Sequence, residues 1–441
     1  MMRAWRVEGT WWIVGLLTFC FTINFIDRLV LSTVAPTLLA QLHLTNTDYS
    51  YIVFAFMLGM TLGQIPVGAL IDRLGVRWSL AGIFAGWSFS NMAQALARNA
   101  WDFRGLRFLM GLCECGNYSA GVKSIAEIFP AEKRSLPLGV FNSGTLLGSL
   151  IAPPLIVYVS GRFGWRQAFF LPSLAGLVWI PLWLQARRPR PRPAETSEPS
   201  PQTWEVGLRD LLALRQTWGV TAMRALSGPL VQFYWYWLPL YLVRSRGLSM
   251  KMMAGLASLS YLAGGLGQIG GGYFSGWLIQ RGWTVDRARK VTYALSAGIT
   301  GAGTAFTPFI HSPFHATVAI GLANFGINVM SNQVMAVTAD VFPGSTLASV
   351  AGLTGVGEGL VSMAMMLFTG VIVDRFSWVP VFTTVAFIPF GSLAALLLLV
   401  HRCHPITLQE FRDMKCSGST WLPREAKGDA RRKPGTGGVA R

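Results

Sequence analysis

Asp27 and Arg28 stand side by side at the centre of an apolar run, 11–42, and Glu114 stands at the centre of another, 103–129. A charge at the centre of a bilayer costs about 2.5–3.5 kcal/mol on insertion scales, so ionisable residues in such runs are functional by default. Arg28 stays protonated and presents a planar fork of donors that suits a carboxylate. Asp27, one residue earlier, points to a different side of the same helix and does not face Arg28 squarely. Glu114 has the chemistry of a group that binds and releases one proton per working cycle. The alternative is a permanently paired Glu114, balanced by Arg107 two turns away on the same face or by Lys123.

Weaker polar signals surround these three. Asn117, Tyr118 and Gly121 follow Glu114 at spacings of three, four and seven and would extend its face with hydrogen bonds and room for a small ligand. Lys123 and Glu127, at i and i+4, read as a structural pair. Gln232, Tyr234, Trp235 and Tyr236 lie near the middle of one run and suit a cavity wall. Asn324, Asn328 and Asn332 make a polar stripe at i, i+4 and i+8. That stripe fits substrate hydroxyls, or it holds helices together. Asn142 and Thr145 give a similar, fainter signal, and Glu358 is a second possible proton site. Asp72, Arg73 and Arg77 bracket a tight loop and suit a latch between two states. The five histidines sit in loops or at span ends, and Cys113 and Cys115 face two sides of one helix, so no metal site is expected. No Walker-type phosphate loop is present, so no nucleotide or other cofactor is expected and work must come from gradients.

These residues need long apolar elements to hold them, and the composition supplies them. Of 441 residues, 52% are hydrophobic and 13% charged, against about 25% charged in a soluble protein. The mean hydropathy is +0.44. Twelve helical spans are predicted near 11–42, 49–71, 78–97, 103–129, 136–160, 165–185, 217–243, 252–280, 288–310, 314–341, 347–373 and 378–401. Their unbroken apolarity fits helices, since a barrel would alternate over about ten residues. Residues 1–185 and 217–401 then form two six-helix halves, a plan that places a transporter's site between them. A Pro- and Arg-rich linker, 186–216, and a basic tail, 402–441, read as cytoplasmic, the tail as disordered or lying on anionic lipid. The net charge of +17 lies in short connections and the tail, which argues for a membrane and against nucleic acid. With the N-terminus inside, inner connections carry 25 Lys and Arg and outer ones 7, so both termini are expected in the cytoplasm. The first run is too long for a signal peptide and reads as a retained span. Pairs such as Gly59/Gly63, Gly144/Gly148 and Gly267/Gly271 predict close helix contacts.

Gly68-Ala-Leu-Ile-Asp-Arg-Leu-Gly-Val-Arg77 resembles the signature loop of the major facilitator superfamily, and Arg107-Phe-Leu-Met-Gly111 resembles its second motif. Within that superfamily, Asn24-Phe-Ile-Asp-Arg28 and Gly111-Leu-Cys-Glu114 resemble the anion:cation symporters. The segment 120–135, with Phe141-Asn-Ser-Gly-Thr145 and Arg246-Gly-Leu-Ser249, is similar to bacterial hexuronate and sugar-acid transporters. The resemblance implies an all-α fold of twelve membrane helices in two pseudo-symmetric halves. It also implies that Arg28 binds substrate carboxylate, that Asp27 and Glu114 couple protons, and that Arg107 takes part in proton transfer, where a purely structural arginine is the alternative. Two features depart from the pattern: span 8 has Leu262-Ala-Gly-Gly-Leu-Gly-Gln268 in place of an acidic residue, and span 11 carries Glu358.

The expectation is a monomeric inner-membrane symporter, not an enzyme, that imports a small organic anion, a hexuronate or related sugar acid, with protons. The rival readings are the same fold carrying an aromatic or dicarboxylic acid, and a membrane sensor without net transport. Substrate contacts are assigned to Arg28, Asn117, Tyr118, Asn142, Gln232, Tyr236, Asn324 and Asn328, and proton coupling to Asp27, Glu114 and Glu358. Gating is assigned to Asp72, Arg73, Arg77 and Arg107.

Overall fold

The computed structural model describes residues 2–130, 133–186, 208–343 and 346–404. Most of the predicted linker and nearly all of the predicted tail lie outside the described residues. The described chain is helical: α1 (Met2–Gln41), α2 (Asn46–Ala93), α3 (Ala100–Glu114), α4 (Asn117–Ile128), α5 (Ser135–Phe163), α6 (Trp165–Leu177) and α7 (Trp179–Gln185). The second half holds α8 (Leu208–Ala213), α9 (Arg215–Arg244), α10 (Met250–Gln280), α11 (Val285–Phe306), α12 (Pro313–Val341), α13 (Leu347–Arg375) and α14 (Trp378–Ala395).

Twelve passes emerge once three irregularities are resolved. Helix α2 contains two passes joined at Gly75, whose φ of 73° lies in the left-handed region that glycine adopts without strain. Helices α3 and α4 form one pass broken at Cys115–Gly116, and α6 and α7 form one pass broken at Val178. By length and apolarity alone, six helices among the described residues suffice to cross a membrane, or seven if the bent pair within 46–96 counts as one. The remaining passes hold buried polar residues such as Arg107, Glu114 and Ser260, which lower their hydropathy. Polar caps start several helices: Thr45 and Asp48 form a reciprocal capping box on α2, and Ser249 and Thr284 cap α10 and α11. The passes alternate in direction. The start of α1, the end of α14 and the Gly75 turn therefore gather at one end, and the 42–45 and 376–377 turns gather at the far end.

The predicted glycine contacts are present. A Cβ on Gly59 would lie 2.2 Å from the Phe108 carbonyl, and one on Gly111 2.2 Å from that of Phe56, so α2 and α3 touch backbone to backbone. Gly144 and Gly148 admit the α1 backbone in the same way, and Gly267 and Gly271 admit α12. These approaches set the depth at which Arg28 and Glu114 meet. The halves join along α1–α9, α2–α13 and α5–α10.

Candidate functional site

Arg28 and Glu114 meet in the middle of the first half. The Arg28 Nε donates to Glu114 Oε1 at 2.8 Å, and Nη2 donates to the same oxygen. Glu114 is 2% exposed and Arg28 9%, and the carboxylate's other oxygen, Oε2, has no hydrogen-bond partner. The guanidinium also lies over the rings of Phe25 and Phe56, at 5.1 and 5.5 Å. Glu114 is thus paired, but with Arg28 rather than with Arg107 or Lys123. Helical spacing compares only neighbours on one helix, and the true partner comes from α1.

Asp27 faces away from this pair into a separate cage. It accepts from Trp87 Nε1 at 3.2 Å, Asn91 Nδ2 at 3.1 Å and Ser173 Oγ at 2.8 Å. The Asn91 carbonyl oxygen accepts from Gln94 Nε2 at 3.2 Å, and Gln94 Oε1 accepts from Arg107 Nε at 2.8 Å. Two amides therefore connect Arg107 to Asp27. Arg107 is fully buried, and its two terminal nitrogens have no hydrogen-bond partner. Sequence reasoning missed Trp87, Asn91, Gln94 and Ser173. The one signal was a cluster of neutral polar residues, Ser88, Ser90, Asn91 and Gln94, within an apolar run.

A small, partly open, uncharged cavity of about 30 Å³ lies between the halves beside this cluster. Thr145 and Ser149 line it from α5, Trp235 from α9, Gln268 from α10, and Asn324 and Asn328 from α12. The Trp235 ring meets Phe25 at 5.3 Å, so one aromatic ring separates the cavity wall from the Arg28 guanidinium. Asn324 donates to Ser260 Oγ at 2.9 Å, and Asn328 donates to the Asn324 carbonyl at 2.9 Å. The third residue of the stripe, Asn332, bonds the Gln268 carbonyl on α10 at 3.0 Å and joins helices.

The other predicted contacts divide. Tyr236 is buried with an unpartnered hydroxyl, and its carbonyl accepts from Tyr49 Oη at 2.7 Å. Gln232 is half-buried. Tyr234 is buried and bonds Thr304 Oγ1 at 2.9 Å, so it is not a wall of this cavity. Asn142 donates to Leu138 of its own helix at 2.9 Å, and its neighbour Thr145 lines the cavity instead. The break at Cys115–Gly116 interrupts the face predicted from Glu114 to Gly121. Asn117 is buried, with Cys20 Sγ 3.5 Å from its carbonyl oxygen, and Tyr118 is half-exposed and stacked on Phe141.

Of the charged residues predicted for gating, Asp72, Arg77 and Arg107 bond within the first half. Asp72 pairs with Lys123 at 2.5 Å, Arg77 donates to the Leu184 carbonyl, and Arg73 is exposed. Lys123 is thus held by α2 and not by Glu127 four residues on, because Asp72 reaches it from the neighbouring helix. Glu358 is not an isolated carboxyl: Arg224 donates to it at 2.7 Å. At the far end, Asp374 of α13 accepts four hydrogen bonds from the start of α2. The Asn46 and Thr47 backbone N–H groups lie at 3.1 and 2.7 Å, and their side chains at 2.7 and 2.6 Å. This bond set between the halves was not anticipated.

Comparison with known proteins fits this architecture. A family model described as Major Facilitator Superfamily matches residues 17–282 and 282–434. A hexuronate transporter of Escherichia coli strain K12 is 28% identical over 410 residues, covering 89% of this chain and 94% of its own. A galacturonate transporter of Dickeya chrysanthemi is 30% identical over 317 residues, covering 68% of this chain and 92% of its own. Among solved structures, an inward-facing, unoccupied bacterial homologue of the human lysosomal transporter Spinster superposes with a TM-score of 0.69 at 16% identity. It covers 94% of this chain and 99% of its own. At that identity the likeness establishes the fold. With most of its length matched by the family model, this multi-pass membrane chain belongs to the major facilitator superfamily.

Proposed function

We propose that this protein is a secondary active transporter that imports a hexuronate or related sugar acid by proton symport. The observation that carries the reading is the buried Arg28–Glu114 pair beside an uncharged, hydroxyl- and amide-lined cavity. In the resting pair, Glu114 occupies the donors that a substrate carboxylate needs. Protonation of Glu114 removes its charge and weakens that hold, and the substrate carboxylate replaces it on Arg28. Asp27 is the second proton site, held in its own cage and linked to Arg107 through Asn91 and Gln94. Substrate hydroxyls are bound by Asn324 and Asn328, with Asn117, Gln232 and Tyr236 as further contacts. The relatives named as hexuronate and galacturonate transporters support this substrate class.

The cycle runs by rocking of the two halves, with the Asp374 contacts closing the far end and the end at the Gly75 turn opening for release. The distribution of Lys and Arg supports placing the Gly75 end and both termini in the cytoplasm and the protein in the inner membrane. Protons drive the cycle only if they bind the two states with different affinity. Glu114→Gln tests the coupling: it is expected to abolish proton-driven accumulation while retaining counterflow of labelled substrate in proteoliposomes. Loss of both from a folded protein would contradict a coupling role for Glu114.

A further inference from the structure

In the proposed site, the Arg28 pair and the neighbouring cavity form two chemically distinct ends. At one end stands Arg28, the cation that would hold a carboxylate once Glu114 is protonated. At the other, beyond the Phe25 and Trp235 rings, every cavity-lining side chain among the described residues is uncharged. A carboxylate moved out of water without a counter-ion loses far more solvation than hydroxyl or amide partners return. A hydroxyl or a sugar-ring oxygen, by contrast, is well matched by Thr145, Ser149, Gln268, Asn324 and Asn328, which offer both donors and acceptors.

Among the described residues, neither Arg107 nor Arg224 supplies the missing charge. Arg107 is fully buried behind Gln94. Arg224 is bound by Glu358 and lies eleven residues before Trp235 on α9, roughly 16 Å along the helix axis. That is too far for the second end of a six-carbon acid anchored on Arg28. We infer that the site selects sugar acids with one carboxylate and discriminates against the corresponding diacids, and that Gln268 with Thr145 forms the neutral end that enforces the choice. Galacturonate and galactarate make the sharpest pair, because they differ only in whether C1 is an aldehyde, closed into the ring, or a second carboxylate. This inference rests on the proposed role of Arg28 as carboxylate anchor.

The test is calorimetric titration of the purified full-length protein with galacturonate and with galactarate at pH 6.5. That is about two units above ordinary carboxyl pKa values, so every ligand carboxylate is ionised. Galacturonate is expected to bind at least tenfold more tightly. Equal or tighter binding of galactarate would overturn the selectivity and leave the sugar-acid reading intact, whereas binding of neither would overturn both. Gln268→Arg should then improve galactarate binding at least tenfold relative to galacturonate. Should that variant fail to fold, as judged by size-exclusion chromatography, Thr145→Lys places a cation on the facing wall and carries the same expectation. A folded variant with an unchanged ratio would overturn the assignment of the neutral end.

Discussion

Glu114 accepts two nitrogens of Arg28 through a single oxygen and leaves the other buried without a partner. That arrangement leaves the carboxylate's second oxygen unsatisfied, which supports the proposed change of protonation state at Glu114. A lysine at position 28 would keep the charge but lose the planar fork. Arg28→Lys is therefore expected to weaken sugar-acid binding by roughly ten- to a hundredfold, in line with about 1.5–3 kcal/mol for a hydrogen bond to a charged group. Titration calorimetry on the folded variant checks this, and unaltered affinity would place the carboxylate elsewhere. At this scale the sequence was legible where a charge interrupts an apolar run, which is why Asp27, Arg28 and Glu114 stood out. Trp87, Asn91, Gln94 and Ser173 stayed hidden because neutral polar residues barely disturb hydropathy and also serve as ordinary helix contacts. The pairing of Glu114 was misplaced for another reason: spacing along α3 says nothing about what α1 presents.

Among the elements, the glycine contacts decide how close the helices come and so where the charged groups meet. Helix α2 lies against α3 so closely that a Cβ on Gly59 would fall 2.2 Å from the Phe108 carbonyl. That contact brings Phe56, which flanks the Arg28 guanidinium, up to the helix that carries Glu114. Gly59→Val would have to push the two backbones apart. It is expected to destabilise the protein by about 1–3 kcal/mol, as overpacking does, lowering the midpoint of thermal unfolding in detergent. An unchanged midpoint would contradict the contact. These glycine pairs were readable from their spacing of four. The break at Cys115–Gly116 was not, because neither residue by itself stops a helix, and the face predicted beyond Glu114 was lost at that break.

For the whole molecule, the apolar runs were enough to indicate twelve passes in two halves. Which ends of the halves touch is a different matter, since it depends on contacts more than 300 residues apart. Asp374 joins the first turn of α2 through four hydrogen bonds, and Gly370 admits Ser50 at the same seam. Charge-pattern reasoning favoured the Asp72–Arg77 loop as the latch, yet in this conformation the bonds of Asp72 and Arg77 stay within the first half. Asp374→Ala removes all four acceptor contacts and should shift the protein toward states open at the far end. A cysteine placed at Ser50 in that background is expected to react faster with a membrane-impermeant maleimide, and an unchanged rate would show that the contact does not hold the far end closed.

The central claim, proton-driven import of a sugar acid, is tested most directly by uptake of labelled galacturonate and glucuronate into proteoliposomes with and without an inward proton gradient. The account predicts accumulation above the external concentration that collapses when the gradient is removed. Uptake that merely equilibrates with the gradient present, or no uptake of either acid by folded protein, would contradict it.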